Sequence, residues 1–543
     1  MVKLLDDYQA KAEQFHQAGI AVPQFNQNEM IKQTAEKPVW VHFGGGNLFR
    51  CFHSIIAQRL LNSGEMKSGI IVAETYDDEV INHVYHPFNN RFLAVEMKSD
   101  GTFEKELVAS VAESIYAGAD HQEGRKRLAE IFTKQSLQLV TFSITEKGYA
   151  LRDLNGNLTK EAVTDLAKGP ANPLTNIGLV ASLLLARYQA NQAPLALVST
   201  DNFSQNGQRL QDAIMLMAKG WLANGFVDQG FLAYLRDPQK VSFPWSMIDR
   251  ITPNPSAAVA QQLEADGFED TALIQTRKQT KIAPFGNTEE VHYLVIEDHF
   301  PNGRPALEKA GVILTDRETV NDADQMKVTA CLNPLHTSLA IFGCLLGFHS
   351  IAAEVADNDL LKLIKNLGYG EDLPVVKDPG IINPQEFIET LITKRLPNKN
   401  IPDTPQRIAT DTSQKMGIRY GVTLQHCVAD PKRDPADLEF IPLVIAGWCR
   451  YLMAIDDQGA AFTPSPDPLY GQLHEYLAGV KLGEKIDVHA KLRPILSNRA
   501  IFANDLYTIG LGEKIENDFK QMISGPGAVW AALQAIIRKY GKY

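Results

Sequence analysis

Residues 38–64 combine a short apolar run, a cluster of glycines and a helical pattern. The apolar run at residues 38–43 is followed directly by glycines at 44–46. A set of apolar residues then recurs at helical spacing before Gly64: Leu48, Phe52, Ile55 and Ile56. The pattern predicts a strand, a glycine turn and a helix.

Similar strand patterns return at residues 69–78, 137–148 and 195–202, and helical patterns separate them, notably at 176–191. This alternation favours a mostly parallel sheet covered by helices on both faces. Upstream of the first strand, residues 1–37 predict an amphipathic helix followed by a loop through Pro23 and Asn26.

Strand signals become sparse after about residue 320. Long helical patterns dominate there, as at residues 440–457 and 528–541, while residues 395–406 have the composition of a loop. The expected fold class is therefore α/β in two domains. The first, residues 1–317, holds the sheet and an N-terminal helical extension, and the second, residues 318–543, is mainly helical.

Composition narrows the class of protein. The chain has 64 acidic and 53 basic residues, a net charge of -11, without long runs of either sign, which disfavours a nucleic-acid partner. Its five scattered cysteines predict neither a disulfide framework nor a zinc knuckle and fit a reducing compartment. The first residues lack the apolar run of a secretory signal, so we expect a cytoplasmic protein.

Residues 330–353 contain no Lys, Arg, Asp or Glu and are long enough to span a bilayer. They include Asn333, Pro334, His336 and His349, whose polar groups are costly to desolvate in lipid. We therefore expect a buried helix with its polar end at a site, and no membrane partner.

The glycine turn has the context of a dinucleotide-binding site. Gly44, Gly45 and Gly46 let the backbone approach a pyrophosphate, and the following helix N-terminus favours negative charge. Further candidates to contact the cofactor here are Asn47, Leu48 and Arg50. Because the third glycine of the usual fingerprint is absent, a tight structural turn is the alternative, and Arg50 is equally explained as a surface charge.

Two acids end the next predicted strand, about 30 residues after the glycines. Glu74 is the first candidate to bind the hydroxyls of an adenosine ribose, and Asp77 is the second. A carboxylate there repels a 2′-phosphate and so favours NAD over NADP. The alternative is an acid in a solvated loop.

Lys327, Asn333 and His336 place a base, an amide and an imidazole at the mouth of the apolar segment. Asn333 and His336 share a helical face, and Pro334 suits the first helical position, which would make Asn333 the helix cap. A plain cap with a core histidine is the alternative. No metal is expected, because the chain has no HExxH or CxxC and no metal-ligand spacing of histidines.

Several blocks, taken in order, resemble the polyol-specific long-chain dehydrogenases, the mannitol dehydrogenase and mannonate oxidoreductase family. They are HFGGGNLFR, SITEKGY, STDNFSQNG, MIDRITP, EDHFPNGRPALEKAGV and the Lys327 to His336 stretch, with RLPNKNIPDTPQRIATDTSQK extending the match to residue 415. The resemblance implies a Rossmann-like N-terminal domain, a helical C-terminal domain, an active site between them and metal-free hydride transfer at a secondary alcohol.

The same resemblance implies roles for individual residues. Lys327 would be the general acid/base. Asn202 and Asn333 would donate hydrogen bonds to a developing alkoxide, and His336 would orient the substrate oxygen. Asp249 either binds substrate hydroxyls or serves a turn.

One spacing departs from the family pattern. The family's lysine lies five positions before the asparagine, whereas Lys327 lies six before Asn333. Six residues of regular helix turn the lysine away from the face of Asn333. We therefore expect a bulge or break in the helix between these two residues.

The substrate-facing part of the family's second domain is similar to a set of four residues in this chain: Arg395, Asn398, Lys415 and Arg419. The SQKMGIR spacing looks more like the mannonate oxidoreductases, and cations suit a carboxylated sugar, which favours D-fructuronate and D-mannonate. The structural alternative, surface cations in a loop, is open. Two other substrate pairs are open as well: tagaturonate with altronate, and fructose with mannitol. A catalytically silent NAD-binding sensor is the non-enzyme alternative, and both a monomer and a dimer are open.

Overall fold

A six-stranded parallel sheet carries the predicted glycine turn. In the computed structural model, which describes residues 1–153 and 156–543, its strands are Trp40–Phe43 (β1), Ile70–Glu74 (β2), Val111–Tyr116 (β3), Leu139–Phe142 (β4), Leu195–Ser199 (β5) and Val241–Ser242 (β6). They lie in the order β3-β2-β1-β4-β5-β6, and every pairing is parallel. The order reverses between β1 and β4, as in the doubly wound dinucleotide-binding fold.

Both faces of this sheet are buried, which explains why its strands have continuous apolar sequences. In β1, Val41 and Phe43 pack in one apolar cluster and Trp40 packs in the other. Helices cover each face, and Asn176–Ala190 belongs to the same cluster as Val41. The predicted parallel sheet with helices on both sides is therefore confirmed.

The chain forms two units, Met1–Lys98 with Thr102–Asn321, and Ser99–Gly101 with Asp322–Tyr543. The remaining strands of the first unit are Ile20–Ala21, Phe92–Met97, Phe103–Val108, Ser246–Asp249, Ile274–Gln275, Lys281–Ile282, Phe285–Glu289, Tyr293–Glu297 and Ile313–Thr315. Its α-helices are Ala12–Gln17, Gln27–Glu36, Ser54–Asn62, Asp78–Val80, Gln122–Phe132, Thr145–Tyr149, Lys160–Lys168, Asn176–Ala190, Asn206–Ala223, Gln229–Arg236 and Ala257–Ala265. It also has π-helical turns at Phe49–His53 and Ile81–Tyr85, and 3₁₀ turns at His86–Phe88 and Leu307–Ala310.

The second unit is helical, as predicted, and every strand of the described chain ends by Thr315. After Arg317–Met326, which leads into this unit, its α-helices are Asn333–Leu346, Ile351–Ala356, Asn358–Lys365, Pro384–Thr390, Pro405–Ile408, Val422–Ala429, Phe440–Tyr451, Tyr470–Tyr476, Val488–Leu496, Arg499–Phe502, Gly512–Met522 and Ala528–Tyr540. Its π-helical turns are Lys327–Cys331, Asn366–Asp372, Leu391–Arg395 and Gly417–Gly421, and its 3₁₀ turns are Leu373–Val375, Thr412–Gln414 and Pro435–Asp437.

The prediction for residues 1–37 is wrong in detail. A short helix, Ala12–Gln17, precedes a two-residue strand, and a second helix, Gln27–Glu36, occupies part of the expected loop. Asn26 begins this second helix, because its side chain accepts a hydrogen bond from the backbone amide of Glu29 at 3.1 Å. An asparagine interpreted as a loop residue is thus a helix N-cap.

The apolar segment forms the helix Asn333–Leu346 of the second unit. Continuous with the preceding turns, Arg317–Leu346 is long and apolar enough to cross a membrane by length and composition, but 78% of its most apolar window is buried within the structure. This burial agrees with the expected core helix.

Candidate active site

The turn after β1 requires glycine at its first position. Gly44 has a φ of 109°, and a Cβ atom there would stand 2.3 Å from the carbonyl oxygen of Ser143, which follows β4. A Cβ on Gly46 would instead meet nothing within 4 Å. The turn thus packs against the sheet on one side and is open on the other, which fits a pyrophosphate close to the backbone.

Glu74, the last residue of β2, is fixed against this turn. Its Oε2 accepts a hydrogen bond from the amide of Gly45 at 2.9 Å, and its Oε1 accepts from Thr75 and Tyr76 at 3.0 and 2.8 Å. The side chain is buried, so the alternative of an acid in a solvated loop is wrong. A carboxylate oxygen accepts more than one hydrogen bond, so Oε2 retains capacity for a ribose hydroxyl.

Asp77 is engaged within the protein. Its Oδ1 caps the helix Asp78–Val80 by accepting from the amide of Glu79, and its Oδ2 accepts from the hydroxyl of Thr276 at 2.6 Å. These contacts account for its burial and favour Glu74 as the acid for the ribose.

Arg50 lies inside the first unit, so its interpretation as a surface charge is wrong. Its guanidinium donates to the carbonyl of Ala283 at 2.7 Å and to Oδ1 of Asn47 at 2.6 Å. Asn47 in turn donates to the carbonyl of Pro253 at 3.2 Å. These contacts shape the start of the helix after the glycine turn, where Leu48 is half-buried.

The ends of β4 and β5 are joined by a carboxylate. Asp201 accepts hydrogen bonds from the amides of Ile144 and Thr145, each at 2.9 Å, and from the hydroxyl of Tyr149 at 2.7 Å. Asn202 follows Asp201 directly and is exposed at the same edge of the sheet as the glycine turn. Asp249 is buried at the end of the strand Ser246–Asp249.

The expected bulge lies at Lys327. Residues Lys327–Cys331 form a π-helical turn in which the amide of Leu332 donates to the carbonyl of Lys327 at 3.1 Å. A π turn accommodates one residue more than an α turn, so it absorbs the extra position before Asn333. Lys327 is buried, with its Nζ 3.8 Å from Oδ1 of Asp324.

Asn333 is the first residue of the next helix, and Leu332 occupies the cap position, so the interpretation of Asn333 as the cap is wrong. The backbone breaks at Leu332, with φ -128° and ψ -63°. The prolyl ring of Pro334 therefore lies at the second helical position. One turn on, Nε2 of His336 lies 3.2 Å from Oδ2 of Asp403, a contact that sequence analysis missed.

One of the two predicted cations of residues 415–419 contacts this helix. Arg419 lies in the π-helical turn Gly417–Gly421 and donates to the hydroxyl of Thr337, next to His336. Burial lowers the pKa of Arg419 to about 10. Burial and then the charge of Arg419 lower the pKa of Lys415, whose Nζ donates to the carbonyl of Thr410.

Arg419 has no carboxylate partner among residues 1–153 and 156–543. A partly buried arginine without a counter-ion suits an anionic ligand. The alternative of surface cations in a loop is therefore wrong for Arg419.

Arg395 and Asn398 are both buried. Arg395 ends the π-helical turn Leu391–Arg395, and Oδ1 of Asn398 accepts from the amide of Asn400 at 3.0 Å. Arg50, Lys327, Arg395 and Arg419 thus all lie in π-helical turns. Such turns are frequent at functional sites.

Comparison with known proteins assigns both units to one family. Residues 39–309 match the family model described as the mannitol dehydrogenase Rossmann domain, and residues 320–523 match the mannitol dehydrogenase C-terminal domain. The chain belongs to the mannitol dehydrogenase family.

Individual members of the mannitol dehydrogenase family are similar over nearly the whole chain. A D-mannonate oxidoreductase of Thermotoga maritima is 50% identical and is matched over 96% of both chains. A polyol:NADP oxidoreductase of Gluconobacter oxydans is 28% identical over 81% of this chain and 85% of its own. The crystal structure of a D-sorbitol dehydrogenase has a TM-score of 0.78 at 26% identity and covers 95% of this chain and 98% of its own.

Sequence analysis did not identify two acids of this mannitol dehydrogenase family member, Asp201 and Asp403. Each acts on a residue far away in the chain, so no local spacing marks it. Asp201 precedes the candidate Asn202 in the STDN block, which is the only local signal available. Within the described residues, no group of three His, Cys, Asp or Glu side chains is arranged to hold a metal ion.

A third acid, Glu354, lies behind Asp403. Its carboxyl is fully buried, and neither oxygen has a hydrogen-bond partner in the described part of the chain. Burial and then the charge of Asp403 raise its pKa to about 9. Gly343 provides the space, since a Cβ there would stand 1.9 Å from Oε1 of Glu354.

This buried acid makes stability depend on pH. Between the ordinary value of 4.5 and about 9, folded Glu354 keeps a proton that the unfolded chain releases, so stability falls as pH rises through this window. The slope for one such group is about 1.4 kcal/mol per pH unit. We expect Glu354→Gln to stabilise the protein by a few kcal/mol at pH 8 and by little at pH 5, as measured by chemical unfolding.

The exposed Glu475→Gln serves as the matched control, because it makes the same chemical change in water. It is expected to leave the pH dependence unchanged. Parallel stability curves for the wild type and Glu354→Gln between pH 5 and pH 8 would contradict the raised pKa.

Proposed function

We propose that the protein is an NAD-dependent oxidoreductase that interconverts D-fructuronate and D-mannonate in the cytoplasm. The assignment is supported by its family and by the 50% identity with a D-mannonate oxidoreductase over 96% of both chains. The substrate is thus a sugar acid, and the reaction is the reduction of its ketone or the reverse oxidation.

The observation that carries this choice of substrate is the position of Arg419. It contacts Thr337, the residue after His336, and has no carboxylate partner in the described chain. A uronate brings the missing carboxylate, which a guanidinium can hold with two parallel hydrogen bonds. A neutral sugar such as fructose would leave this cation unpaired.

The residues around the glycine turn fit a dinucleotide. The pyrophosphate would be held by Gly44, Gly45, Gly46, Asn47 and Leu48. Arg50 would support this turn through its hydrogen bond to Asn47. Glu74 would bind the adenosine ribose and disfavour NADP, while Asp77 caps the adjacent helix. When bound, NAD accepts the hydride in the oxidation, and NADH supplies it in the reduction.

The proton and the oxygen of the substrate are handled by the chain's own side chains. In the reduction, the ammonium of Lys327 would donate a proton to the ketone oxygen, and in the oxidation its amine would take that proton back. The amides of Asn202 and Asn333 would donate hydrogen bonds to the oxygen as charge develops on it. His336 would orient the substrate, and the remaining contacts would come from Asp249, Arg395, Asn398, Lys415 and Arg419.

The purified protein tests this assignment directly. We expect NADH oxidation with D-fructuronate to be faster than with D-tagaturonate or D-fructose. A preference for D-tagaturonate would make the enzyme an altronate-forming reductase, and a preference for fructose would make it a mannitol 2-dehydrogenase. Binding of NADH without turnover of any of the three sugars would instead identify a silent sensor.

Replacing Glu74 with serine tests the choice of cofactor. Because the carboxylate both holds the amide of Gly45 and would repel a 2′-phosphate, kcat/KM should fall with NADH and fall less, or rise, with NADPH. The ratio of the two values is the measurement, since loosening of the turn affects both cofactors.

Asp77→Asn is the matched control for Glu74→Ser. Its carboxylate oxygens are engaged by Glu79 and Thr276, so the NADH to NADPH ratio should stay at the wild-type value. An unchanged ratio for Glu74→Ser together with a changed ratio for Asp77→Asn would transfer the role to Asp77.

A further inference from the structure

The imidazole of His336 lies against the carboxylate of Asp403, which also pairs with Arg407. Nε2 of His336 is buried and makes no hydrogen bond of good geometry in the described chain, and the acceptor that faces it is Oδ2 of Asp403 at 3.2 Å. Oδ1 of the same carboxylate accepts from Nε of Arg407 at 2.7 Å. Nη2 of Arg407 lies 2.6 Å from this Oδ1 as well. The two oxygens of Asp403 are therefore assigned to different partners, and the carboxylate cannot rotate without losing one of them.

The backbone also fixes Asp403. Its carbonyl accepts from the amide of Ile351 at 3.0 Å, and its amide donates to the carbonyl of Ile401 at 2.8 Å. The first of these bonds ties Asp403 to the helix that begins at Ile351. The backbone that carries this carboxylate is consequently fixed on both sides of the Asp403 Cα atom.

The charges around Asp403 favour its ionised form. Burial opposes ionisation, but the contact with His336 and then the charge of Arg407 outweigh it and hold the pKa of Asp403 below its usual value. Glu354, the other acid nearby, keeps its proton near neutral pH because its own pKa is raised to about 9. Asp403 is thus the negative charge that faces the imidazole.

We propose that Asp403 is a positioning residue that fixes the tautomer of His336, keeping the proton on Nε2 and leaving Nδ1 to accept a hydrogen bond from a substrate hydroxyl. The physical reason is that a carboxylate only accepts hydrogen bonds, so the neutral imidazole meets it with its N–H. The other ring nitrogen is then an acceptor. This inference rests on the proposed role of His336 in orienting the substrate.

Asp403→Asn inverts this arrangement with almost no change in shape. The donors of Arg407 keep the amide oxygen on their side, so the NH₂ group of the asparagine faces Nε2 of His336. Nε2 must then accept, and the proton moves to Nδ1. We expect kcat/KM for the sugar to fall by about 10- to 100-fold, the range that applies when a carboxylate that orients a metal-bound histidine is removed, with the KM for NADH unchanged.

A double-mutant cycle separates positioning from general structural damage. If Asp403 acts through His336, adding Asp403→Asn to His336→Ala should change kcat/KM by less than about twofold, because the imidazole is already absent. Equal losses in the wild-type and His336→Ala backgrounds would overturn the proposal. Glu354→Gln is the matched control: it makes the same acid-to-amide change on a carboxyl that is already neutral, and should leave kcat/KM near the wild-type value.

A second variant covers the case in which Asp403→Asn does not fold. The side chain of Arg407 is 64% exposed, so Arg407→Gln is tolerated more readily and releases Oδ1 of Asp403. A partial loss that disappears in the His336→Ala background supports the proposal, and a loss of the same size in both backgrounds overturns it.

Failure of this inference is distinguishable from failure of the proposed function. The double-mutant cycle is measured with whichever sugar the wild-type enzyme reduces best. A preference for fructose would therefore overturn the choice of substrate, while the cycle would still test the coupling between Asp403 and His336. Wild-type kcat/KM in His336→Ala would overturn both the role of His336 and the positioning role of Asp403.

Discussion

Replacing Lys327 with alanine is expected to lower kcat by about 10²- to 10⁴-fold, the usual contribution of a general acid or base. Lys327 is buried at the start of a π-helical turn that absorbs the extra residue before Asn333. In the variant, water must supply or remove the proton at the substrate oxygen. Steady-state kinetics with D-fructuronate and NADH measures the loss, and the dissociation constant of NADH should stay nearly unchanged.

Lys327→Met is the matched variant, because it keeps the length of the side chain and removes only the amine. It should lose as much activity as Lys327→Ala. A small primary amine added to the alanine variant should restore part of the rate by replacing the lost group. Near-normal turnover of both variants would show that the extra residue has displaced Lys327 from the chemistry.

Much of the first unit was predictable because its signals are local. A strand buried on both faces is a continuous apolar run, and a turn that packs against a neighbouring carbonyl requires glycine at Gly44. The strand β3 was missed, since its sequence VAESIY carries two polar residues in a short segment. The helix Gln27–Glu36 was missed because Asn26 serves equally well in a loop and as an N-cap.

The candidate site was predictable only where its residues lie close together in sequence. The six-residue spacing of Lys327 and Asn333 predicted a bulge, and the structure has a π-helical turn there. The contact of His336 with Asp403 joins segments that no periodicity connects. The sequence likewise does not reveal whether Arg419 has a counter-ion. The chain contains many acids, and only the folded structure shows which of them lie near Arg419.

The cations of the second unit differ in what they contact, and this difference decides which of them is the best probe of the substrate. Lys415 donates to a backbone carbonyl, and Arg407 is paired with Asp403. Arg419 donates to a neutral hydroxyl and has no carboxylate partner within the described chain. Removing Arg419 therefore removes a positive charge and leaves no buried carboxylate unpaired, so the fold should tolerate the change.

Arg419→Leu is expected to raise the KM for D-fructuronate about 10- to 150-fold, since a charged hydrogen bond contributes roughly 1.5 to 3 kcal/mol. Fructose reduction should change little, because fructose has no carboxylate. Arg419→Lys, which keeps the charge but not the fork of two donors, should lose less than the leucine variant. General damage to the fold would depress both sugars together, whereas loss of a carboxylate contact depresses only the uronate. Equal losses on both sugars would contradict the proposed carboxylate contact of Arg419, and a wild-type preference for fructose would instead favour a mannitol 2-dehydrogenase activity.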